Sequence, residues 1–486
     1  MIADATLDIL PKPKLLIGGR DMFDASGGTH GHVYAATGKL TGHIPLAGPE
    51  EIDAAVAAAR AAAPAWANML PNERRNILIR FAQLLQRDAD ILTRLSVIDN
   101  GIPLSVAQFG PHVAADSFLY NAGWTDKIGG DVIATWPTPA LDYTRDEPFG
   151  VVAVIIPWNG PIYALGMVLG PALAAGNTVV VKPPELAPYA AMRFGDLALE
   201  AGLPAGVVNI VPGGPAAGAA LTTHPGVDKI SFTGSGATAR HILSAVAPRM
   251  TPVHLELGGK SAAVIFDDAD LDALDAFSLS GVVNNSGQGC INATRLLVQS
   301  RIYDAVVDRI RAQAEQIALG DPMDAATRMG PVIDDRAVQR IMGMIERAPG
   351  EGGRLVAGGE RAGGALADGY FIQPTVFCDV DPQSELAQHE VFGPVLAISR
   401  FDTEEEAVAL ANGTDFGLAA YVWTRDVKRA HGMASKLIAG NIWVNGFTGI
   451  PISAPFGGVG QSGQGRLGGI HGIREYLRAK NVWISL

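Results

Sequence analysis

The sequence predicts an α/β fold organised around a mostly parallel sheet, and two features carry that expectation. From residue 150 onward, short β-branched runs alternate with Ala- and Leu-rich helical stretches, the pattern of parallel strands with helices packed on their faces. Between Glu147 and Lys182 the chain carries no charge, as strands buried on both faces require. Hydrophobic residues make up 48% of the 486 and charged residues 18%. Such a chain has ample core, and its length suits about three ordinary domains or two large ones.

The elements follow in order. PEEIDAAVAAARAAAPAW opens with a Glu pair in its first turn and repeats Ala and Val at helical spacing. NERRNILIRFAQLLQRDADILTRLSVID continues with the same period. GVVAVII is a strand, PALAAG a helix end and NTVVVKP a second strand. ALEAGLPAGVVNIVPG is a helix stopped at glycine with a third strand beyond it. VDKISFTG is a fourth strand and ATARHILSAVA the helix after it. Beyond residue 256 a second α/β unit begins: SAAVIFDDADLDALDAFS reads as strand, turn and helix, and RLLVQSRIYDAVVDRIRAQAEQIA as strand, turn and long helix. The tail EYLRAKNVWISL ends in a short apolar strand that needs a partner edge, and DYTRDEPFGV at 142–151 offers one.

The uncharged run is long enough to span a membrane. Pro157, Pro161 and Pro171 interrupt it, with Trp158-Asn159-Gly160 inside, so strand, turn, helix and strand of a buried core describe it better. The N-terminus carries Asp4 and Asp8 early and does not read as a signal peptide. The formal charge is −12, which argues against nucleic acid and against an anionic membrane surface, both of which want a basic face. Two cysteines, Cys290 and Cys378, are too few for a disulfide scaffold or a structural zinc cluster. They fit a reducing compartment, so a cytoplasmic protein is expected.

Several motifs fail. Gly259-Lys260-Ser261 resembles the end of a phosphate-binding P-loop, but His254 stands where that loop needs glycine. No H-E-x-x-H, no metal-ligand spacing of histidines and no G-x-S-x-G elbow occurs. Three places could carry chemistry. Gly234-Ser235-Gly236 leads from a strand into a helix; it is either a plain tight turn or a site where a pyrophosphate approaches the helix N-terminus. Cys290 lies in NNSGQGCINATRLLVQ among glycines and small polar residues, the exposed, backbone-rich setting of a nucleophilic thiol, whereas Cys378 in PTVFCDV has the apolar context of a structural one. Glu256, in VHLELGGK, is either a structural strand-end carboxylate or a general base whose pKa an apolar setting raises.

Taken together, PWN at 157–159, KPPE at 182–185, FTGS at 232–235, ELGGK at 256–260, GQGC at 287–290, EVFGP at 390–394 and PFGG at 455–458 resemble the NAD(P)-dependent aldehyde dehydrogenase superfamily. The likeness runs from about residue 15 to the end. It implies a Rossmann-type cofactor domain at 1–124 and 150–257 and an α/β thiol domain at 258–445. It also implies a small β oligomerisation arm at 125–149 and 473–486, with a substrate-tunnel and return segment at 446–472.

By this resemblance Cys290 attacks the aldehyde carbon as thiolate. The Asn159 amide and the Cys290 N–H hold the oxyanion, hydride leaves to the nicotinamide, and a water activated by Glu256 hydrolyses the thioester. Lys182 and Glu185 match contacts to the adenosine ribose, and Gly234 and Ser235, with Trp158 nearby, match the pyrophosphate cradle. Glu390 matches the carboxylate on the nicotinamide ribose, with Phe392 beside the ring. Ile155, Ile156, Pro184, Phe232, Thr238 and Leu257 complete the expected cofactor surface. Glu185 would repel a 2′-phosphate, so NAD is expected over NADP. Gly236-Ala237 and Ala239 depart from the common sequence after FTGS, and Leu467 replaces the Glu of the common G-R-E-L-G.

Gly160, Met167, Ile291, Ile450 and Phe456 should line the substrate tunnel. They are small or aliphatic where aromatic rings are common, and Phe456 is the one ring among them. With no charge in 445–456, the expected substrate is a neutral hydrophobic or aromatic aldehyde and the expected assembly a homodimer or homotetramer. The alternatives are a CoA-acylating semialdehyde dehydrogenase, whose members typically lack a Glu at position 256, and a non-catalytic structural or binding member of the family.

Overall fold

Residues 8–447 and 449–485 are described by the computed structural model. Asp4, Thr448 and the final Leu486 lie outside them, and with them the N-terminal leader reading and the last residue of the tail.

The first α/β unit is an eight-stranded sheet. Its strands run in the order Arg20–Met22, Leu15–Ile17, Val208–Ile210, Thr178–Lys182, Val151–Ile155, Lys229–Thr233, Val253–Glu256 and Gly463–Gln464. The five from Val208–Ile210 to Val253–Glu256 are parallel, and both flanks are antiparallel. Every residue of Val151–Ile155 and Thr178–Lys182 is buried, which explains the uncharged run: helices cover both faces, and no position looks to water. The chain winds outward from Val151–Ile155 to one side, then returns to lay Lys229–Thr233 on its other side. That reversal opens a crevice beyond the carboxyl ends of these two strands, where open α/β sheets bind their ligands. Trp158 and Asn159 follow one strand end and Gly234 the other.

The two predicted helical runs form with one difference. The run read as a single period breaks at Asp88 into Pro71–Arg87 and Ala89–Asn100. Asp88 turns its carboxylate to Arg87 Nε at 2.7 Å and Arg193 Nε at 2.9 Å, a local alternative to continuing the helix. Two short elements near the N-terminus carried no signal above: the Leu15–Ile17 and Arg20–Met22 edge pair, and a hairpin of Thr29–Tyr34 with Lys39–Pro45.

The second unit is a seven-stranded sheet in the order Arg354–Ala357, Thr375–Cys378, Val395–Phe401, Arg295–Gln299, Ala262–Ile265, Ala419–Trp423 and Asn441–Val444. All neighbours are parallel except at the Arg354–Ala357 edge. The tail strand Leu477–Ser485 pairs antiparallel with Ala140–Pro148, and Val132–Ile133 adds to the other side. It is longer than the short apolar strand expected, carries Arg478 and Lys480 in its first half, and is mostly exposed.

Candidate active site

The thiol loop is the most constrained piece of backbone near the crevice. Asn285, Ser286 and Gly287 hold φ of +49°, +53° and +74° in succession, a left-handed stretch costing non-glycine residues about 1–2 kcal/mol each. Amides and a hydroxyl hold it there. Gln288 N–H and Nε2 donate to Asn285 O at 2.9 and 3.0 Å, Ile333 N–H donates to Gln288 Oε1 at 2.9 Å, and Ser286 Oγ donates to Gly330 O at 2.7 Å. Gly287 could be no other residue: an added Cβ would lie 2.0 Å from Gly393 O. Neither Asn285 nor Gln288 was singled out from sequence; the amide-rich run before Cys290 was the available signal.

This loop brings three predicted residues together. Asn159 Nδ2 donates one hydrogen to Gln288 O at 2.8 Å and keeps a second, while Asn285 Nδ2 donates to Asn159 O at 2.9 Å. The ELGGK segment packs on the thiol loop so closely that a Cβ on Gly259 would stand 2.6 Å from Cys290 O. Burial pushes the Cys290 thiol up to about 12, with the carboxylates of Glu390 and Glu256 adding to it, so the resting sulfur holds its proton. Glu256 ends its strand 4% exposed, and neither carboxylate oxygen has a hydrogen-bond partner. Burial raises it well above the ordinary range, against the pull of Arg466, and so favours its neutral form.

Glu390 closes over the same segment. Gly259 N–H donates to its Oε1 at 3.0 Å, and a Cβ on Gly258 would meet Oε2 at 2.1 Å. Burial lifts this carboxyl to about 7 despite Lys260 and Arg340. Lys260, unremarked above except in the failed P-loop, is buried with no hydrogen bond to Nζ, and burial lowers it to about 7. Phe392 sets its ring edge-on to Trp158, 5.4 Å between centroids, joining EVFGP to PWN.

Along the crevice, Lys182 donates to Pro183 O at 3.1 Å and to Gly213 O, and burial brings it down to about 8. Glu185 and Pro184 are half-buried beside it. Gly234 leaves room for the Phe232 ring, which an added Cβ would approach to 2.6 Å. Ser235 caps the helix Gly236–Val246, accepting from Thr238 N–H at 3.3 Å, and both side chains face solvent. Of the departures here, Ala239 is buried in the apolar core, and so is Leu467, whose backbone pairs with Phe456 at 2.7 Å in both directions. Ile155, Ile156, Phe232 and Leu257 are buried beneath the crevice.

The expected tunnel residues differ in burial. Gly160 is half-buried ahead of the helix Pro161–Ala174, Met167 is buried in the helical core of the first unit, and Ile450 and Ile291 are half-buried. Rings do stand near the thiol, supplied by residues the sequence reading passed over. Tyr421 donates to Ile291 O at 2.9 Å and stacks on Trp443 at 5.2 Å, and Phe447 meets Trp443 edge-on at 5.1 Å. Tyr163 has a buried hydroxyl without a partner, and burial raises its pKa and that of Tyr421, with Cys290 adding to both. Among the described residues no group of three or more His, Cys, Asp or Glu could hold a metal, and no helix is long and apolar enough to cross a membrane.

Known proteins resemble this chain over nearly its whole length. The model of the aldehyde dehydrogenase family matches residues 23–482. Betaine aldehyde dehydrogenase of Cereibacter sphaeroides is 40% identical over 98% of both chains. Cytosolic aldehyde dehydrogenase 1 of Mus musculus is 41% identical over 93% of this chain and 90% of its own. The NAD+ complex of aldehyde dehydrogenase from Bacillus cereus superposes with a TM-score of 0.96 at 39% identity, covering 100% of this chain and 99% of that one. With a family match across nearly the whole chain and a thiol loop seated against the ELGGK segment, this protein belongs to the aldehyde dehydrogenase family.

Proposed function

We propose that this chain oxidises an aldehyde to its carboxylic acid with NAD, through a covalent intermediate on Cys290. The single observation behind this reading is the meeting of Cys290, Glu256 and the Asn159 amide at the crevice of the first sheet. The residues present fit the dinucleotide: a crevice at the strand reversal, a capped helix N-terminus after Gly234, and the buried ammonium of Lys182 beside Glu185. Glu390 and Phe392 would take the nicotinamide end. NAD, when bound, supplies the hydride acceptor.

The protein's part is to ionise, orient and hydrolyse. Cys290 releases its proton to solvent and adds as thiolate to the carbonyl carbon; the free hydrogen of Asn159 Nδ2 and the Cys290 N–H receive the oxyanion. After hydride loss a thioester remains. Glu256 then removes a proton from the water that attacks it, and the acid and free thiol are released. Glu185 favours NAD, since a 2′-phosphate beside it would be repelled.

The substrate we favour is a neutral hydrophobic or aromatic aldehyde, supported by the Tyr421, Trp443 and Phe447 rings. The same rings support a second reading, an aldehyde bearing a quaternary ammonium, since aromatic faces attract such cations and the Cereibacter relative is a betaine aldehyde dehydrogenase. The exposed arm, with Val132 80% and Trp136 81% accessible, supports assembly into a dimer or tetramer, and the two free cysteines support a cytoplasmic setting. The test is absorbance at the reduced-nicotinamide band with NAD or NADP and a panel of aryl, medium-chain, quaternary-ammonium and carboxylated aldehydes, with Cys290→Ala beside the parent. The proposal expects signal lost in the variant and weakest with succinic semialdehyde. Signal that persists in Cys290→Ala would refute the mechanism.

A further inference from the structure

Behind Glu256 the fold buries a file of polar side chains that the reaction above leaves unused. His254 and Glu256 alternate along the strand Val253–Glu256, so both side chains leave the same face. The His254 ring is fully buried, with Nε2 3.3 Å from Glu256 Oε1, and neither that nitrogen nor either carboxylate oxygen has a hydrogen-bond partner. On the ring's other side Nδ1 lies 3.1 Å from Ser231 Oγ on the neighbouring strand, which accepts from Tyr476 Oη at 3.3 Å.

Room for this imidazole is built in. Gly465, at φ +88°, turns its bare side to the ring, and an added Cβ would stand 2.5 Å from His254 Cδ2 and 2.9 Å from Glu475 Oε2. Glu475 pairs with Lys229 Nζ at 2.7 Å, and the two line an open cleft of ≈ 530 Å³ with Arg466 and His471. The charges facing His254 are therefore Glu256 on its own strand, Lys229 from the next strand, and Arg466 and Glu475 from the return segment. Burial outweighs them, bringing the imidazole down to about 4 and lifting Glu256. Both shifts favour a carboxylic acid beside a neutral ring, a pair that is not yet a base.

We propose that His254 is the positioning residue of Glu256, taking the carboxyl proton on Nε2 and returning it once the thiol is restored, while Ser231 Oγ holds the Nδ1 side of the ring. This rests on Glu256 being the group that activates the hydrolytic water. In the transfer the Glu256 O–H bond breaks and an Nε2–H bond forms, leaving carboxylate beside imidazolium. The carboxylate takes a proton from water as the water oxygen adds to the thioester carbon. The C–S bond then breaks, the product acid departs, and the sulfur takes back from Glu256 the proton drawn from water, leaving thiol and carboxylate. The imidazolium then returns its Nε2 proton to the Glu256 carboxylate, so each turnover restores the acid and the neutral ring in its starting form, and the product acid releases one proton to solvent.

The test separates acylation from hydrolysis with p-nitrophenyl acetate, which acylates a thiol without cofactor. Nitrophenolate release reports acylation, and the mass of the Cys290 peptide reports loss of the acetyl group. His254→Leu should acylate within twofold of the parent but lose the acetyl group at least tenfold more slowly, with the rising limb of hydrolysis moved to higher pH. His254→Gln, close to the native size and still able to donate to Glu256 but not to carry a proton, should bring that limb back while the rate stays low. Hydrolysis within twofold of the parent in His254→Leu, or both steps falling together, overturns the proposal. Glu256→Gln tells the two readings apart: if it hydrolyses at the parental rate the base itself is misassigned, and if it does not, only the role of His254 is at stake.

Discussion

Replacing Asn159 by alanine removes one hydrogen-bond donor from two different tasks, and the structure lets the two costs be told apart. In the folded enzyme Nδ2 donates to Gln288 O at 2.8 Å, but that carbonyl also accepts from Asn285 Nδ2 at 3.2 Å. The contact from Asn285 to residue 159 uses the backbone carbonyl and survives the substitution. No buried acceptor is orphaned, so the stability loss should stay near the net worth of one hydrogen bond, about 0.5–1.5 kcal/mol. The second hydrogen of the amide is the proposed oxyanion donor, and losing such a donor costs about 10²–10³ in rate, roughly 2.7–4 kcal/mol. The activation penalty should therefore exceed the folding penalty by about 2 kcal/mol. Urea unfolding gives the first quantity and kcat/KM from nicotinamide absorbance the second, at saturating NAD. A folded Asn159→Ala protein with kcat/KM within tenfold of the parent would refute the oxyanion assignment.

Four further outcomes are expected. Alkylation of Cys290 by iodoacetamide should be slow at neutral pH and climb steadily into the alkaline range, because burial and two carboxylates hold the thiol up at about 12. The folded thiol binds its proton more tightly than the unfolded one, so this stability is complete below the ordinary thiol value of 9.0 and is lost as pH rises towards about 12; urea midpoints of parent and Cys290→Ala should diverge across that window. Glu185→Gln removes the charge that repels a 2′-phosphate, and the ratio of kcat/KM for NADP over NAD should rise about tenfold, a shift that initial-rate measurements with both cofactors detect. Ile484→Glu combined with Leu141→Glu places carboxylates on exposed apolar positions of the arm, and light scattering should then find a smaller species than the parent's oligomer.

How much of this was legible beforehand depends on the range of the forces involved. The strands Val151–Ile155 and Thr178–Lys182 were readable because burial on both faces leaves a local mark, an unbroken apolar run. The break at Asp88 was not, since the helical period continues across it and the deciding partner, Arg193, is distant in sequence. The aromatic rings near the thiol show the same limit. Tyr421 and Trp443 lie on adjacent parallel strands whose register sets them face to face, and nothing local to either announces that they meet beside Ile291.

By itself, then, the sequence determined the α/β class, the choice of Cys290 over Cys378, and the order of the motifs along the chain. Those follow from composition, periodicity and the small-residue neighbourhood of one thiol. Only the tertiary structure decided that Asn285 and Gln288 brace the nucleophile's loop, that Lys260 and Glu390 share a buried corner, and that His254 stands behind Glu256 with Ser231 at its back. The spacing of 254 and 256 on one strand was visible as a two-residue step. Its meaning came from the neighbouring strand and from the return segment more than 200 residues later, whose glycine at 465 leaves the space an imidazole needs.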